Sequence, residues 1–309
     1  MKSRKYDFFK KKKLNYSELD NEIKIEIAIL GGLDIFTDAH VKGVVDATAK
    51  ICEEMGMEYE KMKRCVLCAY LHDVGKIHIP SEILQKNGKL TDEEFAKMKQ
   101  HTEYGYDICM RYNQFRELAP IVRAHHESLD GSGYPDGLKG DEIPEEAKLI
   151  KVADVYDALT KRRQYKEGFK KSKAIDILLE DVEKGKTAPK YLYYLILNIL
   201  SELESVLQEY EELIKGVNNE IEILKELEKI YKQIYDQGFT PKLAKKLSKY
   251  ELESGYDMST NANLLVIKQQ KLERMQNELK DLEEEEEKLR IQAKTTEKLI
   301  SDEDWIEKI

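Results

Sequence analysis

The chain has 309 residues and a mass of 36.0 kDa, which is enough for about two domains at roughly 150 residues each. Its 60 acidic and 51 basic residues give a net charge of −9, which excludes a body-wide basic face for gripping nucleic acid. Four cysteines do not make a disulfide framework, and no apolar run is long enough to predict a membrane span. The first residues are basic but lack the apolar stretch of a secretory signal, so we expect a cytoplasmic protein.

Composition divides the chain near Thr187. All six histidines precede this point, whereas Leu, Ile, Glu and Lys dominate after it. We therefore expect a basic N-terminal tail or first helix at residues 1–24, a domain over residues 25–187 and a helical coiled-coil region over residues 188–309. Helical spacing recurs throughout and strand patterns are nearly absent, which predicts an all-α fold. The lysine-rich tail is interpreted as a frayed chain start, with contact to an anionic membrane as the alternative.

Two local signals stand out in the first half. Thr91 to Glu94 forms a capping-box pattern, which predicts a helix that carries Phe95, Met98, His101 and Ile108. The segment from Asp130 to Gly137 is rich in glycine and contains a proline, so it is predicted to be a loop between two helices.

The second half has the apolar spacing of a coiled coil. Steps of four and three residues, with one stutter between Val217 and Ile221, predict a long helix, and Gly238 to Pro241 predicts its end and the cap of a short helix that ends near Gly255. A second long helix follows, and the pair is interpreted as an antiparallel hairpin, although a parallel dimer uses the same pattern. The predicted stripes are Ile199, Leu203, Val206, Tyr210, Leu213, Val217, Ile221 and Leu224, and then Leu272, Met275, Leu279, Leu282, Leu289, Ala293 and Ile300.

Histidines and aspartates of the first half form an unusual set. His72 and Asp73 end an apolar helix, His125 and His126 are adjacent, and an unpaired carboxylate at Asp154 would be expensive inside its apolar helix. A lone histidine is more often a hydrogen-bonded structural residue, but one shared metal site would explain the whole set. The number of candidate ligands exceeds a tetrahedral site and indicates two divalent ions, which suit phosphoester hydrolysis.

An ordered series of motifs surrounds these residues. The motifs are His72-Asp73 with Gly75-Lys76 and Ile79-Pro80, His101 with Tyr104-Gly105, His125-His126-Glu127, Asp130-Gly131-Ser132-Gly133-Tyr134-Pro135, Gly137 to Pro144, and Val152 to Thr160. With them, residues 25 to 200 resemble the HD-GYP family, the branch of the HD superfamily that hydrolyses the bacterial messenger cyclic di-GMP. The resemblance implies a helical bundle with its metals at the centre.

The resemblance also implies site residues. His40, His72, Asp73 and Asp154 would surround one ion, and Asp73, His101, His125 and His126 the other, with Asp73 as the bridge. Lys76 would contact the scissile phosphate, and Arg163 and Lys166 match positions that contact ligand phosphates in relatives. Tyr134 is predicted either to stack on guanine or to shape a partner surface.

Some positions depart from the family pattern or carry a simpler interpretation. Phe36 stands where members with a third metal carry glutamate, so two metals are predicted, and Gln164 stands where proline is common. The stretch after Gly168 resembles the family only weakly. Cys65 and Cys68 are interpreted as small buried residues rather than as a metal or redox motif, and His78 as a rim residue. Glu127 is interpreted as a carboxylate that orients a metal-bound imidazole, with a role as acid or base as the alternative.

The predicted function is metal-dependent hydrolysis of cyclic di-GMP to the linear dinucleotide or GMP, with iron or manganese as the metals that the resemblance favours. One alternative is hydrolysis of another cyclic dinucleotide or nucleotide. The other is a non-catalytic nucleotide receptor that signals through its coiled coil. The coiled coil could pair two copies of the chain or bind a protein partner, and the sequence leaves both open.

Overall fold

The computed structural model describes residues 35–161, 168–254 and 261–301, with side chains over 39–161, 168–250 and 263–301. Within these ranges all regular elements are helical and the only strand-like pairing is an isolated bridge between Asp130 and Lys139, so the predicted all-α fold is confirmed. The α-helices are α1 (Ile35–Glu54), α2 (Tyr59–Leu71), α3 (Ser81–Leu84), α4 (Asp92–Lys99), α5 (His101–Arg111), α6 (Ala119–Ala124), α7 (Glu145–Thr160), α8 (Lys171–Glu183), α9 (Pro189–Gln237), α10 (Pro241–Ser254) and α11 (Asn261–Ile300).

The chain divides into two compact units. The first comprises residues up to Leu200 together with those from Lys288 on, and the second comprises Ser201–Glu287. The first turns of α9 are buried in the first unit, with Leu192 and Ile196 fully covered. The end of α11 also packs there, because the buried Gln292 side chain donates to the Ser172 carbonyl at 2.8 Å and to the Asp176 carboxylate at 2.7 Å.

The core of the first unit is built on three helices. α1 packs against both α2 and α7, and α7 also contacts α8. Apolar side chains such as Val45, Leu71 and Ile150 are fully buried between them, which removes from water the apolar surface that drives folding. α5 packs against α6 and against a short 3-10 helix, Val74–His78, that follows the His72-Asp73 pair.

The predicted capping box is present at the start of α4. Thr91 Oγ1 accepts from the Glu94 backbone N–H, and the Glu94 carboxylate accepts from the Thr91 N–H at 2.7 Å. The single helix predicted from this cap is divided at Gln100, so Phe95 lies on α4 whereas His101 begins α5. The division lies directly before a predicted ligand, His101.

The second unit is an antiparallel hairpin of α9 and α11 within one chain. The Tyr210 hydroxyl donates to Glu278 at 2.8 Å and Lys268 pairs with Glu220, so higher numbers on one helix oppose lower numbers on the other. Val217 and Ile221, the two residues of the predicted stutter, are both buried with Met275 in one apolar cluster.

The predicted stripe is wrong by one residue at two places. Val206 and Leu213 are 39% and 57% exposed, whereas Leu207 is buried and Ile214 packs against the apolar cluster of the hairpin. Ile300 is also exposed, at 37%.

The end of α9 follows the sequence signals. α9 ends at Gln237, Gly238 adopts a φ of +80°, and Thr240 Oγ1 accepts from the Leu243 N–H, so α10 begins at Pro241 as predicted. None of the described helices is long and apolar enough to cross a membrane.

Candidate metal centre

The turn after α2 places the His72-Asp73 pair. α2 buries its apolar face up to Leu71, and the chain then passes through Asp73 into the 3-10 helix. Gly75 fixes the position of this turn, because a Cβ there would lie 2.0 Å from the His101 carbonyl oxygen and 2.4 Å from the Gly105 nitrogen. Two backbones therefore touch where only glycine fits, and this contact brings Asp73 close to His101.

Donor atoms of the predicted ligands converge in two overlapping sets. In one, atoms of Asp73, His101, His125 and His126 lie within 4.8 Å of one another. In the other, the same holds for His40, His72 and Asp73. Asp73 belongs to both sets and is 1% exposed, so its carboxylate stands between the two groups of imidazoles.

Backbone carbonyls orient three of the imidazoles in the same way. The Nδ1 atoms of His72, His101 and His125 lie 2.6–2.7 Å from the carbonyl oxygens of Ala69, Met98 and Val122, each three residues earlier. A carbonyl only accepts, so each Nδ1 carries the proton and donates it. The Nε2 atoms, which face the cluster, are left to act as ligands, the arrangement usual for metal-binding histidines.

The imidazole Nε2 atoms and the Asp73 oxygen that face the centre have no satisfactory hydrogen-bond partners among the described residues. Burial lowers the pKa of His101 to about 4 and holds the pKa of His125 well below its usual range, so both rings are neutral near pH 7. Their Nε2 atoms nevertheless lie only 3.3 Å apart, with lone pairs facing each other. In the part of the chain with described side chains, His72 Nε2 and Asp73 Oδ1 are buried without a hydrogen bond. Buried polar atoms without partners are costly, and divalent cations in the two ligand sets would satisfy them.

His40 and Asp154 form the outer part of the centre. His40 Nε2 lies 3.0 Å from Asp154 Oδ1, and its Nδ1 lies 2.8 Å from Asp157 Oδ2. Burial lowers the pKa of His40, but hydrogen bonds to the two aspartates outweigh it and raise the pKa to about 9. Asp154 also approaches His126, at 3.9 Å. Asp154 therefore lies between a residue of each ligand set.

The sequence prediction missed Asp157. This residue is 3% exposed and holds the far side of the His40 ring, as a carboxylate behind a metal-binding histidine would. A Cβ on Gly43 would lie 1.8 Å from the Asp157 carboxylate, so the glycine makes room for it. The spacing of three residues from Asp154 on α7 was the available signal, since i and i+3 share a helix face.

Lys76 lies at the edge of the centre. Its ammonium group donates to Asp73 Oδ2 at 2.5 Å, and the side chain keeps 22% of its surface exposed. A partly exposed cation beside a buried carboxylate is available to an anionic ligand that enters from solvent. Arg163 and Lys166, together with Gln164, lie outside the described residues, as does the side chain of Phe36.

Glu127 organises the glycine-rich loop rather than an imidazole. Its carboxylate, 1% exposed, accepts the backbone N–H groups of Asp136 at 2.7 Å and of Gly137 and Leu138 at 3.1 Å. From outside, Arg123 forms a bidentate pair with the Asp136 carboxylate at 2.7 and 2.8 Å. The loop is thus held by a buried anion and a surface cation, and the predicted orienting role of Glu127 is wrong.

This loop places Tyr134 over the metal centre. The Tyr134 ring lies 4.8 Å from the His126 ring, with planes inclined by 32°. Phe95 of α4 also lies beside the Tyr134 ring, with centroids 6.3 Å apart and planes inclined by 80°. Lys99 Nζ lies 4.8 Å from the Phe95 ring and 5.4 Å from the Tyr134 ring. Sequence reasoning assigned no role to Phe95 or Lys99, which complete an aromatic and cationic wall beside the site.

The two cysteines of α2 and His78 lie outside the metal centre. Cys65 and Cys68 are buried free thiols in α2, as predicted. His78 stands against the Tyr104 ring, with centroids 5.4 Å apart, and belongs to neither ligand set.

A family model described as "HD domain" matches residues 20–188, more than half of the chain. The chain therefore belongs to the HD domain family. Three curated relatives are similar to parts of this chain. The cyclic di-GMP phosphodiesterase response regulator RpfG of Xanthomonas campestris pv. campestris is 41% identical over 152 residues, which are 48% of this chain and 39% of that protein.

A cyclic di-GMP phosphodiesterase of Thermotoga maritima is 47% identical over 135 residues, 43% of this chain and 37% of that protein. The 3'3'-cGAMP-specific phosphodiesterase 1 of Vibrio cholerae is 32% identical over 179 residues, 58% of this chain and 41% of that protein. These relatives confirm the HD-GYP resemblance predicted from the motifs. The chain spans about two fifths of their length.

Proposed function

We propose that the chain is a metal-dependent phosphodiesterase that hydrolyses a cyclic dinucleotide, with cyclic di-GMP as the preferred substrate. The observation that carries the proposal is the convergence of buried, carbonyl-oriented imidazoles on the carboxylate of Asp73. The names of the relatives supply the substrate class.

The ligand sets support a two-metal centre. His40, His72, Asp73 and Asp154 would hold one ion, and Asp73, His101, His125 and His126 the other, because the two groups of donor atoms share only the Asp73 carboxylate. Iron and manganese suit mixed imidazole and carboxylate ligands. Bound ions supply an activated water and neutralise charge on the phosphate during an in-line displacement.

The protein groups around the centre would position the dinucleotide. The Lys76 ammonium, at the rim, would pair with a phosphate oxygen. The Tyr134 ring, fixed by the loop that Glu127 anchors, offers an aromatic surface beside the phosphate position. The predicted phosphate contacts of Arg163 and Lys166 belong to the same proposal. The expected product is the linear dinucleotide or GMP.

The test is anaerobic purification of the full chain, metal analysis, and incubation with cyclic di-GMP or 3'3'-cGAMP while chromatography follows the products. We expect about two metals per chain and turnover of cyclic di-GMP. His101→Gln should lose metal and at least about 100-fold of the activity, since loss of a ligand removes an ion from the centre. His78→Gln, a histidine outside both ligand sets, is the matched control and should keep both.

Each failure has its own meaning. Two metals with tight nucleotide binding but no turnover would refute the enzyme and favour the receptor alternative. Preferential turnover of 3'3'-cGAMP would keep the reaction class and correct the substrate. Full metal content and activity in His101→Gln would refute the assignment of the site.

A further inference from the structure

The turn between α9 and α10, in the second unit, exposes two aromatic side chains. Tyr235, in the last turn of α9, is 90% exposed, and Phe239, in the turn itself, is 68% exposed. Phe239 directly precedes Thr240, the cap of α10. A hydrophobic residue at this position commonly packs against the fourth residue of the helix, here Ala244. Because Phe239 instead keeps most of its surface in water, its ring is available to a partner.

The adjoining helix carries a positive face. Lysines at 242, 245, 246 and 249 have the spacing i, i+3, i+4 and i+7, which places them on one side of α10, and all four are exposed. Leu243 and Leu247 lie on a different side and are half-buried. The helix is thus amphipathic, with its cations directed to solvent.

This positive charge is local. α10 contains four lysines and two glutamates, whereas the whole chain has a net charge of −9. Glu226 of α9 pairs with Lys229 at 2.6 Å and with Lys246 at 3.6 Å, so the positive charge of the α10 face rests on Lys242, Lys245 and Lys249.

We propose that the turn and the lysine face of α10 dock onto an anionic lipid surface. Exposed aromatic rings beside a lysine-rich amphipathic helix match the interfacial mode of membrane binding, in which rings enter the headgroup boundary and lysines meet anionic headgroups. A lipid surface touches only this turn. A lipid surface offers both an apolar layer for the exposed Phe239 ring and anionic headgroups for the lysines, so it suits the two features together. The docking surface shares no residue with the metal centre.

Sedimentation of the full chain with phospholipid vesicles tests the proposal. The chain should bind phosphatidylserine-containing vesicles, bind pure phosphatidylcholine weakly, and lose affinity as salt screens the charges. A double variant, Lys245→Gln with Lys249→Gln, should bind about 25-fold more weakly, because each lysine near an anionic surface contributes about 1 kcal/mol, or about five-fold. Phe239→Ser should weaken binding as well, and circular dichroism checks that each variant is folded.

Two matched controls lie elsewhere in the same unit. Leu213→Ser removes an apolar side chain that is 57% exposed, and Lys280→Gln removes a lysine whose side chain is 74% exposed. Both should bind vesicles like the parent. No binding of the parent to phosphatidylserine vesicles would overturn the proposal. So would binding that survives the substitutions in the turn and α10, which would move the contact to the basic tail at residues 1–24. Binding of a single-stranded oligonucleotide in place of vesicles would assign the surface to nucleic acid.

Discussion

Alanine at position 75 tests whether close backbone packing builds the metal centre. The Cβ of Gly75→Ala would lie 2.0 Å from the His101 carbonyl oxygen, whereas ordinary van der Waals contact begins at 3.4 Å. The 3-10 helix and α5 would therefore have to separate by about 1.4 Å. Metal–ligand distances tolerate about 0.2 Å, so this shift should remove Asp73 and His101 from one coordination sphere.

Two effects should follow in Gly75→Ala. Overpacking of a buried site lowers the free energy of unfolding by about 1–3 kcal/mol. We expect the upper end, because the added Cβ meets backbone atoms of His101 and Gly105, which cannot move as a side chain can. Metal content should fall by at least one ion per chain. Mass spectrometry of bound metal and urea unfolding followed by circular dichroism measure the two effects.

Other glycines provide graded controls. At Gly105 the nearest atom to an added Cβ is a side-chain carbon of Val122 at 2.9 Å, which can move, so alanine there should cost about 1 kcal/mol. Gly216, inside α9, has open space around it, and alanine should stabilise that helix by about 1 kcal/mol. Parent-like metal content and unfolding in Gly75→Ala would refute the packing argument.

Three further substitutions test single contacts. Glu127→Gln replaces the carboxylate that accepts hydrogen bonds from three backbone N–H groups of the loop. Hydrogen exchange at residues 136–138 should therefore accelerate about ten-fold or more, and unchanged exchange would contradict the proposed role of Glu127 in holding the loop. Gln292→Glu places a second carboxylate beside Asp176 and should destabilise the protein by about 2 kcal/mol at neutral pH. Burial beside Asp176 raises the pKa of the new carboxyl, so this defect should shrink as the pH falls toward about 4.5, and a pH-independent defect would contradict the cause. Burial lowers the pKa of Lys151 from 10.5 to about 8, so the folded chain loses this proton first and its free energy of unfolding should rise between pH 8 and 10.5. Lys151→Met should flatten this rise in urea titrations, and an identical slope would refute the assignment.

Local signals in the sequence predicted many features of the helical fold. The cap at Thr91 and the glycine turn at Gly238 lie where their residue types indicate, because each acts through bonds to near neighbours. The register of α9 was harder, since Leu207 and Ile214 each follow another apolar residue and a heptad pattern accepts either member of such a pair. Only packing against α11 decides which of the two is covered.

Long-range contacts explain what the sequence left out of the site. The Asp157 carboxylate meets His40, 117 residues away; its spacing of three residues from Asp154 places it on the same helix face but does not identify His40 as its partner. Gln292 has the polar character of a surface position, yet it is 7% exposed because its amide reaches the carbonyl of Ser172 on α8. Glu127 accepts hydrogen bonds from a loop nine residues away, and its position next to His126 in the sequence gives no information about that loop.

Helix ends account for the common orientation of the three central imidazoles. His72 and His125 are the C-terminal caps of α2 and α6, and His101 follows the cap of α4. The last four carbonyls of a helix lack partners within it, and each Nδ1–H satisfies one of them. The same bond turns each Nε2 inward. Helix C-termini also carry partial negative charge, so the ends of α2 and α6, where His72 and His125 lie, favour cations at the centre. The hydrogen bonds that satisfy the carbonyls at the helix ends thus also orient the imidazoles for metal binding.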